Sequence, residues 1–128
     1  DIIANTLRYI ASQDYTGKIK VLVIDNNSSD DTALKANQTA EELGLDLSVI
    51  REEKPGKFNA LNAGLEHTDT DLVVTLDADT LLHKSAVRYL VARIESSPSS
   101  VCAVAGSVLV RNSRDNILTR MQEWDYFL

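Results

Sequence analysis

The sequence predicts an α/β sandwich, a mostly parallel sheet with helices on both faces. Three observations lead there. Short apolar, β-branched runs alternate with amphipathic stretches of helical period, the pattern of strands linked by helices. The runs are apolar along their length, as parallel strands covered on both sides must be. A length of 128 residues suits one domain with a single core of two or three layers. Crossovers in such a sheet are expected to be right-handed.

Ile3, Leu7, Ile10 and Ala11 repeat at helical spacing, so a helix is expected over Asp1–Ile10, with Gly17 in the turn beyond. Ile19–Ile24 (IKVLVI) reads as a first buried strand, and Asp25–Asp31 as a polar turn. Thr32–Leu43 is a helix with Ala33, Ala36, Ala40 and Leu43 on one face, closed by Gly44. Asp46–Ile50 is a second strand, and Arg51–Gly56 (REEKPG) a loop. Lys57–Glu66 is a helix expected to turn Phe58, Leu61 and Leu65 to the core. Asp71–Leu76 (DLVVTL) reads as a third strand, ending in Asp77-Ala78-Asp79. A helix over Ser85–Glu95 carries Val87, Leu90, Val91 and Ile94, and Ser96–Ser100 is a linker. Val101–Val110 is a longer strand, or two strands broken near Gly106. A last helix over Asn116–Leu128 places Ile117, Met121, Trp124 and Leu128 on its apolar side.

Composition narrows the function. Hydrophobic residues make up 44% and charged residues 25%, the balance of a soluble globular chain. A net charge of −6 argues against nucleic acid, which needs a basic stripe to displace its counterions. An acidic chain that takes an anionic ligand needs a metal ion, a helix N-terminus or a few placed cations. Cys102 is the single cysteine, which excludes an internal disulfide and a cysteine zinc site. The apolar runs are too short to cross a bilayer. The chain begins inside a helix and stops in an uncapped aromatic one, so a piece of a larger protein is expected.

The unusual residues collect where ligands bind in such sheets, beyond the carboxyl ends of the strands. Asp25-Asn26-Asn27-Ser28 follows the first strand, Lys54 and Lys57 follow the second, and Asp77 and Asp79 follow the third. Two carboxylates this close oppose each other's ionisation unless a cation lies between them. A hard divalent ion, which also takes phosphate oxygens, removes that conflict. The plainer reading is that Asp79 or Thr80 caps the next helix. Ser29, Asp30 or Asp31 is likewise suited to capping, but Asp25 and Asn26 stand too early for it and could meet the edge of a nucleobase. Gly56 lets backbone approach a ligand, and Lys57 at a helix N-terminus opposes the dipole unless it meets an anion. His67 and His83 lack partner spacing and read as surface residues, and Trp124, Tyr126 and Phe127 read as core.

The ordered segments DNNSSDDT, GKFNALNAGL and DLVVTLDADT resemble the inverting glycosyltransferases of family 2, which have the GT-A fold. VAGSVLVRN and NILTRMQEWDY extend the resemblance towards the chitin-oligosaccharide, hyaluronan and poly-N-acetylglucosamine synthase branch. It covers nearly the whole chain. The resemblance implies a GT-A-like (Rossmann-like) three-layer sandwich, truncated at both ends, with residues 1–128 as the nucleotide-sugar-binding part. It implies that Asp25 and Asn26 contact the uracil of a UDP-sugar; many members carry Asp at the second position, so Asn26 is a departure. Lys57 matches a lysine near the diphosphate. Asp77 and Asp79 match the D-x-D motif, whose second carboxylate ligates Mg2+ or Mn2+. Asn112 and Gln122 lie in matched segments without an assigned chemistry.

The reaction so implied is inverting transfer to a saccharide acceptor in polysaccharide synthesis. The acidic general base and the acceptor half are expected beyond Leu128, so this piece would bind UDP with Mn2+ without turning over. The parent is expected at the cytoplasmic face of the cell membrane, and the missing first strand would leave a sheet edge able to pair with another copy. Two other classes remain open on residues alone. One is a receiver-like domain with Asp77 as phosphoacceptor; the other is a non-catalytic nucleotide-binding interaction domain whose acidic loops cap helices.

Overall fold

The computed structural model of the chain describes residues 2–107, together with Asp115 and Met121. It divides into two compact units, Asp1–Val91 and Ala92–Leu128.

The first unit opens with α1 (Ile2–Ala11), whose Ile3, Ala4, Thr6 and Leu7 are buried on one face. Arg8 lies in its last turn, where a cation suits the helix dipole. Next come β1 (Lys20–Asp25), α2 (Thr32–Leu43) and β2 (Asp46–Arg51). The two strands pair in parallel, from Lys20 opposite Asp46 to Asp25 opposite Arg51. Ile3, Leu7, Val21 and Ala36 form the core, and Ile10, Ile19, Val23, Leu45, Leu47 and Val49 pack against it. One face of the sheet thus meets α1 and α2. The alternate side chain Ile24 points to the other face, where it meets Gly64 of α3 (Lys57–Glu66). Helices therefore cover both faces, and the α/β layering read from the sequence is present.

Local signals account for the ends of α2. Asp30 accepts from the Thr32 amide at 3.1 Å, so the capping carboxylate comes from Asp30, although Asp31 occupies the cap position. At the other end, Gly44 adopts φ 66°, the Leu45 amide returns to Ala40 O at 3.0 Å, and the Gly44 amide returns to Glu41 O at 3.3 Å. That pair of bonds is a Schellman closure, and only glycine takes its φ without a Cβ penalty.

Three expectations in the first unit need correction. Residues 71–76 form no strand, and Leu72, Val73 and Val74 stay 43%, 49% and 47% exposed. An extended run becomes a strand only by pairing, and among the described residues β1 pairs with β2 alone. Instead, Leu72–Val74 line a cavity of about 120 Å3 with Lys20, Leu22 and residues 67–70. On α3, Phe58, Leu61 and Leu65 are exposed, and the buried residue is Ala63. Small residues let the helix lie close on β1, so Ala63 and Gly64 form the contact face in place of the large ones. On α2, Ala36, Thr39 and Ala40 are buried whereas Leu43 is exposed.

The helix α4 spans Ala86–Glu95, with Val87, Leu90, Val91 and Ile94 half-buried and Tyr89 exposed. Its N-terminal amides find partners from outside the helix: Val87 N donates to Gln13 Oε1 at 3.0 Å, and Ala86 N to His83 O at 2.8 Å. Asp14 accepts from Ser85 Oγ at 2.7 Å and from Arg88 Nε at 3.1 Å. In the second unit, Val101 N donates to Pro98 O at 2.8 Å and residues 101–107 take no regular structure. The strand expected over Val101–Val110 is therefore absent from its described part. Asn112, Gln122, Trp124, Tyr126 and Phe127, and all of the last expected helix except Met121, lie outside the described residues.

Candidate functional site

The carboxyl end of β1 is tied to the loop before α3 through one side chain. Gly56 N donates to Asn26 Oδ1 at 2.8 Å. An amide N–H can only donate, so this bond fixes which end of the Asn26 side chain is oxygen. The Asn26 Nδ2 group then spends both hydrogens on loop carbonyls, Glu52 O at 3.0 Å and Lys54 O at 2.6 Å. Asp25 O accepts from Glu52 N at 2.9 Å and carries the parallel ladder one residue further. Asn26 thus holds the loop, and one Oδ1 lone pair remains to it. A carboxylate here could not serve the two carbonyls, which accounts for the asparagine where the resemblance leads one to expect Asp.

Asp25 uses Oδ1 to accept from Ser28 N at 2.9 Å, closing the turn. Asn27 sits inside that turn at φ 61° and receives Arg51 Nη2 at 3.3 Å. Asp25 Oδ2 has no partner among the described residues. Gly56 has φ 125°, a conformation closed to other residues, and it delivers the chain into α3 with Lys57 as the first helical residue.

Lys57 Nζ donates to Asp77 Oδ1 at 2.6 Å. Both side chains are open to solvent, at 72% and 63% exposure. The bond to Asp77 and its charge raise the lysine's pKa above the ordinary 10.5, and the more distant charge of Asp79 adds to this. Lys57 therefore lies within the field of both carboxylates. Asp79 itself makes no hydrogen bond or ion pair among the described residues. It is not a helix cap either, since α4 begins only at Ala86. The tripeptide between β1's side of the molecule and α4 is held by backbone: Thr80 N donates to Asp77 O at 3.0 Å, and the buried Thr6 Oγ1 of α1 donates to Ala78 O at 2.7 Å. The sequence reading missed Thr6; a polar residue inside the apolar stripe Ile3–Leu7–Ile10 was the available signal.

Four of the five expected site residues thus lie on one chain of contacts, Asn26 to Gly56, Lys57 to Asp77, with Asp25 beside Asn26. Asp79 joins them through its neighbour Ala78 and its effect on Lys57. His67 and His83 are exposed, as read. The described cavities lie elsewhere, one beside Leu22 and Val73 and one in the second unit around Arg93 and Ala103. No group of three or more His, Cys, Asp or Glu able to hold a metal is present among the described residues. The donors at hand are two exposed carboxylates, one of them unpaired. That set fits Mg2+ or Mn2+ of the kind that takes one or two carboxylates and completes its shell with water and phosphate oxygens.

A comparison with known families is decisive: the sequence profile of Glycosyl transferase family 2 matches residues 1–127. The chain belongs to glycosyl transferase family 2. A receiver domain is thereby set aside. Among curated relatives, a poly-beta-1,6-N-acetyl-D-glucosamine synthase of Staphylococcus aureus (strain MSSA476) is 33% identical over 129 residues, covering 98% of this chain and 30% of the relative. An N-acetylglucosaminyltransferase of Azorhizobium caulinodans is 29% identical over 122 residues, covering 93% of this chain and 30% of the relative. This family 2 chain therefore spans about a third of the length of these relatives. No solved structure matches it.

Proposed function

We propose that residues 1–128 form the nucleotide-sugar-binding part of a metal-dependent, inverting glycosyltransferase that takes a UDP-sugar for polysaccharide synthesis. The observation that carries this reading is the 2.6 Å contact between Lys57 and Asp77, beside an unpaired Asp79. A cation, an engaged carboxylate and a free carboxylate then share one small surface. The names of the relatives support N-acetylglucosamine as the sugar transferred.

In this reading Asp79 and Asp77 would hold Mg2+ or Mn2+, which when bound would supply Lewis-acid stabilisation of a diphosphate leaving group. Lys57 swings from Asp77 towards the diphosphate and offsets its negative charge as the sugar leaves. The unpaired oxygen of Asp25 accepts from the N3–H of uracil, the one N–H the base offers, while Asn26 stands beside it and keeps the loop in register through Nδ2. A general base deprotonates the acceptor hydroxyl and belongs to the acceptor half of the enzyme. We also propose that the parent enzyme is membrane-associated, with this part at the cytoplasmic face. Among the described residues no helix is long and apolar enough to cross a membrane. Among the described residues β1 pairs with β2 alone, and its other edge supports self-association by strand pairing.

Isothermal titration of UDP into the chain tests the reading. Heat that appears with Mn2+ and vanishes with a chelator is expected. No heat under either condition would leave the acidic loops as helix-capping structure in a non-catalytic domain.

A further inference from the structure

The geometry points to Thr6 as a positioning residue for the D-x-D turn, one that holds Asp77 and Asp79 ready for a divalent cation without touching it. This rests on the nucleotide-sugar reading above. Thr6 is an odd choice for its place. It lies on the buried face of α1 with Ile3, Ala4 and Leu7, and it is only 2% exposed. A β-branched hydroxyl residue is a poor helix former, and a hydroxyl buried there costs stability unless it is hydrogen-bonded. An alanine would serve α1 better.

The hydroxyl has one proton to give. The carbonyl of Ile2 in its own helix lies at 3.4 Å, too long to compete. The carbonyl of Ala78, 72 residues away, lies at 2.7 Å and receives it. Ala78 stands between the two carboxylate residues, and the bond from Thr80 N to Asp77 O at 3.0 Å closes the same turn from the other side. Two bonds therefore hold the turn from Asp77 to Thr80 by its backbone, while the side chains of Asp77 and Asp79 stay exposed. A backbone tethered beneath exposed carboxylates is what preorganised binding of a cation and a diphosphate requires. The tether also puts a helix at the far end of the chain in control of the turn.

The test compares the full chain with Thr6→Ser, which keeps the hydroxyl, and Thr6→Val, which keeps the shape. Mn2+ binding in the presence of UDP is read from the free-ion signal in electron paramagnetic resonance. UDP binding without metal and thermal melting are read alongside. Thr6→Val is expected to weaken Mn2+·UDP binding about tenfold, the worth of one well-placed hydrogen bond, while metal-free UDP binding is unchanged. Thr6→Ser is expected to recover wild-type binding within about twofold. Wild-type Mn2+·UDP affinity in a cooperatively melting Thr6→Val would overturn the assignment and leave the functional reading intact. Should Thr6→Val not melt cooperatively, Thr6→Cys, a weaker donor of similar size, carries the comparison; unchanged affinity there overturns it equally. Absence of Mn2+-dependent UDP binding in the wild-type chain would instead sink the functional reading, and this inference with it.

Discussion

At Asn26 a single atom decides between a joined and a broken loop. Its amide gives two hydrogens to the carbonyls of Glu52 and Lys54 and takes one from Gly56. Asn26→Asp keeps the acceptor and turns the donor into a second acceptor facing two carbonyl oxygens. The variant is expected to lose about 1–3 kcal/mol in urea unfolding, the cost of leaving part-buried polar groups unpaired; a change within error would show that the loop does not depend on this clamp. At this scale the sequence exposed the chemistry and hid the wiring. Asp25, Lys57, Asp77 and Asp79 stand out because charged residues after buried strands are unusual. Asn26 also stood out, but its part as a clamp depends on carbonyls 26 and 28 residues away, which no local pattern reveals. Thr6 was hidden for the same reason.

Among the elements, those defined by local chemistry were legible and those defined by partners were not. The bounds of α2 and α3 follow from a cap, a glycine and a helical period, all visible in the sequence. Residues 71–76 carry a strand's composition, yet a strand also needs a neighbour. The buried face of α3 is not legible from its large apolar residues, because close contact with β1 selects the small Ala63 and Gly64 instead. A Cβ built on Gly64 would meet Ile24 at 3.4 and 3.5 Å, ordinary contact distances. Gly64→Ala is therefore expected to stabilise the chain by roughly 0.5–1 kcal/mol through helix propensity. Denaturant midpoints check this, and a lowered midpoint would mean that α3 packs more tightly than its backbone suggests.

The junction of α1 with α4 adds a pH-dependent element. The Ser85 hydroxyl, and then Arg88, hold the Asp14 carboxyl below its ordinary 3.8. A depressed carboxyl contributes stability that is fully present above the unfolded value and is lost as pH falls through the folded one. Asp14→Asn should therefore melt lower than wild type at neutral pH, with the gap narrowing once the pH drops below about 4. A gap independent of pH would show that charge on Asp14 plays no part in this junction.

For the whole molecule, charge frames the problem. A chain of net charge −6 repels a diphosphate, and Asp25, Asp77 and Asp79 add to that repulsion where the ligand would sit. Lys57 offsets only part of it, so the account requires a divalent cation held by the D-x-D carboxylates. The most direct measurement titrates UDP into the wild-type chain, Asp79→Asn and Lys57→Gln at fixed Mn2+. Asp79→Asn should abolish the metal-dependent part of binding, and Lys57→Gln should weaken it roughly 10- to 100-fold, as loss of a charge-assisted bond does. Binding that survives both substitutions unchanged would contradict the claim that these side chains receive the nucleotide's diphosphate.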